Sequence, residues 1–258
     1  MAQIERNFIM NLETFFNEHP SVAIAFSGGC DSSYLLYQAS QYATDVHAYY
    51  MNTAFQPAFE LEDAQRFCAQ YHIPLTVLSL NVCQNPDVVR NDSLRCYYCK
   101  QEIFSNILAA AQKDGYTTLL DGTNASDNAT DRPGMRALAE LQVYSPLRLC
   151  NLTKTQIRQH SKELGLFTHD KPAYACLATR IPVNTPIEQA DLERVEECEK
   201  ILFSLNFTDF RVRIFHNAAR IQLPSKQFSQ AIEQYQTITS LFRPYFDTVL
   251  LDLVPRDN

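Results

Sequence analysis

Val22-Ala23-Ile24-Ala25-Phe26-Ser27-Gly28-Gly29-Cys30-Asp31-Ser32 runs from an unbroken apolar stretch into a turn of small residues, and Ser33-Tyr34-Leu35-Leu36 opens a helical pattern behind it. Strand, small-residue turn and helix start in that order make a phosphate cradle. The two glycines take backbone angles closed to other residues and let main-chain N–H groups approach an anion. Ser32 falls near the helix N-terminus, where unpaired N–H groups and the helix dipole favour negative charge. Ser27, Gly28, Gly29 and Ser32 are therefore candidate phosphate contacts. Asp31 repels bare phosphate, so it is read as a ligand for a bridging Mg²⁺. The turn has neither the Gly-x-Gly-x-x-Gly spacing of dinucleotide loops nor the Gly-Lys-Ser/Thr ending of the Walker loop.

Outward from this turn, apolar β-rich runs alternate with helical patterns. Strands are expected at Val22–Phe26, Val46–Met51, Leu75–Leu80 and Thr117–Leu120, with helices near Ser33–Tyr42, Phe59–Tyr71 and Tyr98–Gln112 between them. Strands without clear alternation, separated by helices, read as an α/β fold with a parallel sheet covered on both faces. Such sheets bind ligands at the carboxyl ends of their strands. Ser27–Ser32, Met51-Asn52-Thr53 and Asp121-Gly122-Thr123-Asn124 fall there, which adds Met51 and Gly122 to the candidate nucleotide contacts. A helix follows near Thr153–Leu164, then an irregular stretch Lys171-Pro172-Ala173-Tyr174-Ala175-Cys176-Leu177-Ala178-Thr179-Arg180. Pro182 and Pro186 mark a domain boundary. Residues 1–182 are read as the parallel-sheet domain and 183–258 as a smaller α+β domain. The latter should contain a helix near Ile187–Leu205, strands Phe210–Phe215 and Ala219–Leu223, a helix near Lys226–Phe242 and a last strand Thr248–Leu253.

The bulk properties bound the function. With 258 residues, 46% of them hydrophobic and 20% charged, the chain has the composition of an ordinary globular protein. No stretch approaches the roughly 18 uninterrupted apolar residues of a membrane span, and Met1–Arg6 lacks a basic-then-apolar secretion pattern. A cytoplasmic location is expected, with no membrane partner. The net charge of −7 argues against a broad nucleic-acid surface. Assembly as a homo-oligomer is also expected.

Eight cysteines in such a chain are read as thiols, ligands or catalysts before disulfides. Cys30, Cys68, Cys83, Cys150 and Cys198 stand singly and read as small buried hydrophobes. Arg95-Cys96-Tyr97-Tyr98-Cys99-Lys100 differs, because an i,i+3 pair at a helix start puts both sulfurs on one face near a dipole that favours thiolates. Cys176 is the further cysteine of interest. Joined to Cys96 and Cys99 it would give an iron–sulfur cubane three ligands and leave one iron open. The other readings of the pair are zinc completed by a histidine such as His169, or no metal at all.

Several arginines suggest an anionic ligand. Arg132 and Arg136 follow Asp127 and Asp131 in what reads as a long loop, and they can clamp an anion with paired donors. Arg211 and Arg213 alternate along a strand and so share a face, with Arg180 and Arg220 as further members. Glu188, Glu193, Glu196 and Glu197 read as an exposed helical face.

Taken together, SGGCDSS at Ser27–Ser33, CYYCKQEIF at Cys96–Phe104, DGTNASDNATDRPGMRA at Asp121–Ala137, LTKTQIR at Leu152–Arg158, ACLATR at Ala175–Arg180 and RVRIFHNAARIQLP at Arg211–Pro224 resemble the LarE family of ATP-dependent sulfur transferases, within the PP-loop ATP pyrophosphatases. The resemblance implies a PP-loop, Rossmann-like domain that splits ATP to AMP and pyrophosphate. It implies adenylation of a carboxylated pyridinium mononucleotide, replacement of AMP by sulfur, and use of the product in the nickel-pincer cofactor. Three cysteines resemble the subtype in which Cys96, Cys99 and Cys176 hold a [4Fe–4S] cluster that carries a sulfide, supplied by a separate donor. Members without the Cys-x-x-Cys give up the sulfur of the cysteine that corresponds to Cys176. Arg180, Arg211 and Arg213 would orient the substrate phosphate and carboxylates. Gln222 departs from the family's Ile-Glu-Leu-Pro pattern. A tRNA thiolase of the TtcA type shares the loop and cysteine spacing but needs an extended basic surface. A zinc-stapled nucleotide sensor without catalysis is the reading from a different class.

Overall fold

The computed structural model describes residues 10–127 and 133–256. Along the chain these form α1 (Leu12–Glu18), β1 (Ser21–Ala25), α2 (Cys30–Tyr42), β2 (Asp45–Asn52), α3 (Ala58–Gln70), β3 (Leu75–Ser79), α4 (Pro86–Val89), α5 (Arg95–Lys113) and β4 (Leu119–Leu120). Then follow α6 (Pro133–Glu140), α7 (Pro146–Leu149), α8 (Lys154–Glu163), α9 (Gln189–Ser204), β5 (Arg211–Phe215), β6 (Ala218–Gln222), α10 (Phe228–Glu233), α11 (Tyr235–Phe242) and β7 (Thr248–Leu251). The chain divides into two units. One comprises residues up to Asn52, Ala58–Leu80 and Cys96–Ala173; the other comprises Thr53–Pro57, Asn81–Arg95 and the residues from Tyr174 on. The boundary expected after residue 182 falls inside the second unit. No helix among the described residues is long and apolar enough to cross a membrane.

The first unit is α/β, with an all-parallel sheet in the order β3-β2-β1-β4. Val22 and Ile24 of β1 pack with Leu12, Phe15 and Phe16 of α1, Leu35 of α2 and Phe67 of α3. Ala23, pointing the other way, packs with Tyr49, Met51 and the α5 residues Ile107 and Ala111. A central strand buried on both faces explains why its sequence shows no alternation. The stretch from Arg132 to Arg136, expected as loop, is helical from Pro133. Proline is suited to the first helical position, where its missing N–H costs nothing. Gly134, Ala137 and Leu138 behind it give the buried stripe of a short helix.

In the second unit β5, β6 and β7 form one sheet, with β5–β6 antiparallel and β6–β7 parallel. The helix expected over Lys226–Phe242 is broken at Gln234, which ends α10 and caps α11 at φ −99°, ψ 10°. The β-branched run Thr237-Ile238-Thr239 just beyond it does little to hold a continuous helix. Asn91 explains why Asn81–Arg95 belongs to this unit. It is fully buried with φ 55°, and its Nδ2 donates to the carbonyls of Pro182 and Thr185, each at 2.9 Å. Arg95 donates in turn to Asn91 Oδ1 at 2.7 Å and to the Ala178 carbonyl at 3.0 Å. The Phe55 carbonyl accepts from Leu177 N at 2.9 Å, which ties in Thr53–Pro57.

Candidate active site

Strand order changes direction between β1 and β4, and crevices at such switch points bind ligands in open α/β sheets. Here the Ser27–Gly29 turn leaves β1 and Asp121-Gly122-Thr123 leaves β4. Gly29 caps α2. Gly28 has φ +69°, and a Cβ there would lie 2.9 Å from the Glu60 carbonyl oxygen. A Cβ on Gly122 would lie 3.0 Å from Ser32 N, so the two loops touch only because position 122 has no side chain. Ser32 Oγ donates to the Gly29 carbonyl at 3.2 Å and accepts from the Ser27 hydroxyl at 3.0 Å. Asp121 is buried; it accepts from Thr123 Oγ1 and, at 2.5 Å, from Ser145 Oγ. A cavity of about 650 Å³ opens against these loops, lined by Ser27, Gly29, Asp31, Ser32 and Gly122 among others.

Gly28→Ala tests this packing against a natural control. Gly165 shares φ +69° but has open space where a Cβ would stand. Gly165→Ala should therefore show left-handed backbone strain alone, about 1–2 kcal/mol. Gly28→Ala should lose at least about 1 kcal/mol more through the added contact with backbone. Paired denaturant melts check this, and equal losses would remove the steric reading of the turn.

Asp31 lies in the first turn of α2, and its Oδ2 accepts from Lys154 Nζ at 2.5 Å. Its Oδ1 is buried without a hydrogen-bond partner among the described residues. Thr153 and Gln156 form a capping box that fixes the start of α8. One turn on, Arg158 donates to the carbonyls of His169 and Lys171 at 2.9 and 2.7 Å. Lys171 is thereby held over the turn, donating to the Gly28 carbonyl at 3.1 Å and to Asp63 at 2.6 Å. Cys30 points away, against Ser161 and the His169 carbonyl, and burial pushes its thiol up. Burial also pushes Cys68 and Cys198 up to about 12 and Cys150 to about 11. These thiols are poor nucleophiles at neutral pH.

Cys96 and Cys99 occupy the first turn of α5, Cys96 exposed and Cys99 half-buried. Cys96 and Lys100, one turn apart, line the same cavity as the Ser27–Ser32 loop. Gly134 of α6 packs on the Lys100 stem, where a Cβ would come within 2.9 Å of Cδ. Tyr97 donates to Glu140 at 2.7 Å, and the Arg136 guanidinium stacks 3.9 Å from the centre of its ring. His169 Nδ1 donates to the Leu166 carbonyl at 3.0 Å.

In the second unit Cys176 is exposed and precedes a 3₁₀ turn over Leu177–Arg180. Its carbonyl accepts from Thr179 N at 2.9 Å and Thr179 Oγ1 at 2.8 Å. Arg180 is fully buried. Its Nε and Nη2 meet the two Glu199 oxygens at 2.7 and 3.2 Å, and its Nη1 donates to the Ala175 carbonyl at 3.0 Å. Burial, with Arg211 and Arg213 nearby, pushes the Arg180 guanidinium down. Burial likewise pushes the Glu199 carboxyl up, against the Val212 N–H and the neighbouring guanidinium groups. The guanidinium carbons of Arg180 and Arg211 lie 4.9 and 5.1 Å from the centre of the Tyr174 ring. Arg213 and Arg220 face each other across β5 and β6 and, with Arg180 and Thr179, line a cavity of about 580 Å³. Arg213 donates to the Thr179 carbonyl and to Gln222 Oε1 at 2.6 Å, and Gln222 donates to Asp252 at 2.8 Å.

No protein-family model matches the chain. It is 36% identical over 226 residues to an uncharacterised protein of Synechocystis sp., covering 86% of this chain and 84% of that one. It is 30% identical over 244 residues to an uncharacterised protein of Methanocaldococcus jannaschii, covering 94% and 93%. It is also 30% identical over 205 residues to the pyridinium-3,5-bisthiocarboxylic acid mononucleotide synthase (LarE) of Lactiplantibacillus plantarum, covering 79% of this chain and 74% of that protein. The chain belongs to the LarE family. In this LarE-family protein the first unit gathers Ser27, Gly29, Asp31, Ser32, Gly122 and Cys96 on one cavity, while the second gathers Arg180 and Arg213 on another. Met51 is buried in the core beside Tyr49. Arg136 lies on the outer side of α6 with Glu140, 3.6 Å away, and Arg132 lies outside the described residues. Residue-type reasoning on the sequence does not single out Lys100, which lines the first cavity, Lys154 and Lys171, which bond to Asp31 and the Gly28 carbonyl, or Glu199, which pairs with Arg180.

Proposed function

We propose that this protein is an ATP-dependent sulfur transferase that adenylates the carboxylates of pyridinium-3,5-biscarboxylic acid mononucleotide and replaces AMP with sulfur, for the nickel-pincer cofactor. The observation that carries the reading is the cavity of the first unit, which a nucleotide-type loop and Cys96 line together. A carboxylate oxygen is a poor leaving group. Attack of that oxygen on the α-phosphorus of ATP releases pyrophosphate and leaves an acyl-adenylate, from which sulfur displaces AMP at the carbonyl carbon.

The residues fit the groups this chemistry uses. The partnerless Asp31 Oδ1 is suited to Mg²⁺, which neutralises phosphate charge when bound. Cys96, Cys99 and Cys176 are a thiolate donor set of the kind that holds a [4Fe–4S] cluster, which with three protein ligands supplies an iron open to sulfide. Arg180, its donors committed to Glu199 and Ala175, acts by fixing the Cys176 segment. Arg213, with Arg220, offers charge to the substrate phosphate or carboxylates, and buried Arg211, two residues from Arg213 on β5, adds to the positive charge of the same strand. Ser27, Gly29 and Ser32 hold the ATP phosphates.

The test uses full-length protein reconstituted anaerobically with iron and sulfide, then given ATP, Mg²⁺ and the biscarboxylic mononucleotide. The expected result is about four irons per chain and repeated thiocarboxylate formation, with one AMP and one pyrophosphate released for each sulfur transferred. Absence of substrate-dependent pyrophosphate release overturns the reading. A single turnover with Cys176 converted to dehydroalanine shifts the sulfur source from the cluster to that side chain.

A further inference from the structure

We propose that Lys154 is an exchangeable counter-ion. It holds Asp31 while the site lacks nucleotide, and it moves to the phosphates when Mg²⁺ and ATP arrive together. The inference rests on the reading of the first-unit cavity as an ATP site. Lys154 stands at the first residue of α8, where the positive end of the helix dipole disfavours a cation. Its location is explained by what it touches, the Asp31 carboxylate at 2.5 Å. That carboxylate is unevenly served: Oδ2 holds an ammonium, and Oδ1 is buried with no partner among the described residues. The pair is only partly shielded, with 30% and 22% of the two side chains exposed, so breaking it does not strand a buried charge.

The backbone around Lys154 is fixed, which confines any movement to the side chain. Its N–H donates to Ser126 Oγ at 3.0 Å, and the capping box locks the preceding residue. The four-carbon stem above that anchor carries a compact charge that can be re-aimed without moving the helix. A divalent cation on Asp31 repels an ammonium 2.5 Å from the same carboxylate, whereas the triphosphate offers it new anionic oxygens. Lys154 thereby withholds Asp31 from bare metal and returns its charge when nucleotide is present. Metal and nucleotide then bind as a unit.

Two titrations with opposite expected signs test this. Mn²⁺ binding without nucleotide is followed by paramagnetic resonance. Binding of α,β-methylene-ATP with Mg²⁺ is followed by calorimetry. Lys154→Met and Lys154→Gln should each bind bare Mn²⁺ about tenfold more tightly than wild type and the Mg²⁺-analogue about tenfold more weakly, the size of one charge-assisted hydrogen bond. Lys154→Arg, whose charge survives, should change both by less. A shift of both affinities in the same direction, or of neither, overturns the exchange and makes the pair a static one. Wild-type protein that fails to take up the analogue overturns the ATP reading instead, a result separate from wild type and variants binding it equally well. Thermal melts of each variant beside wild type show that the compared proteins are folded.

Discussion

Asp31→Asn is expected to slow substrate-dependent pyrophosphate release by about 10²–10³-fold, the usual effect of deleting one preorganised electrostatic contact at a centre of developing charge. The amide keeps the shape of the side chain but loses the charge that would hold Mg²⁺ through the partnerless Oδ1. Stability should barely move. The Asp31–Lys154 pair is partly exposed, and pairs of that kind contribute about 0–1 kcal/mol. The two readouts therefore separate: pyrophosphate release falls while the thermal midpoint stays within a few degrees of wild type. Full activity in a folded Asn variant would take Asp31 out of the nucleotide site. A collapse of the fold would mark the carboxylate as structural.

The parts of this protein that were legible in its sequence are those encoded by neighbours. The Ser27–Ser32 turn follows an apolar run and opens a helix, and in the structure it does both, between β1 and α2. Helices expected near Tyr98–Gln112, with its apolar stripe, and near Thr153–Leu164, with Gly165 behind it as a stop, form as α5 and α8. Pro133 reads as punctuation in a polar loop because the helix behind it is short and its stripe consists of Gly134, Ala137 and Leu138, two of them small. Helix α1 left a signal in the Asn11 cap and in Leu12, Phe15 and Phe16, but it lies before the first strand, where no alternation calls for a helix. Lys100 was legible only as a residue one turn beyond Cys96. Its place on the cavity depends on the packing of α6 against α5. Glu199 was hidden by company: Glu193, Glu196 and Glu197 suggest a solvated face, yet Glu199 falls four residues after Val195 and three before Leu202, on the buried stripe of α9. A carboxylate on such a stripe implies a buried cation, and nothing local says which one.

That cation is Arg180, and Glu199→Ala is expected to cost about 3–5 kcal/mol, the range for removing one partner of a buried ion pair. The side chains are 0% and 1% exposed. Glu199 Oε1 also accepts from Val212 N at 2.9 Å, so the variant leaves a backbone donor of β5 unpaired as well as a guanidinium. Burial first, and then the like charges of Arg211 and Arg213, push the Arg180 guanidinium down, so those neighbours do not replace the lost carboxylate. Glu199→Gln should recover the Val212 contact but not the charge, and should lie between the alanine variant and wild type. The double change Arg180→Met with Glu199→Leu is expected to be milder than Glu199→Ala alone, because it leaves no stranded ion. Denaturant melts of the four proteins check the order, and a Glu199→Ala loss under about 1 kcal/mol would show that the pair offsets only its own desolvation. Function should not follow stability. The double variant is expected to fold yet lacks the guanidinium that holds the Ala175 carbonyl beside Cys176, so its sulfur transfer should fall while pyrophosphate release in the other unit persists. Retained transfer would mean that the Cys176 turn holds without Arg180, through the two bonds Thr179 gives to the Cys176 carbonyl and the one Leu177 N gives to the Phe55 carbonyl.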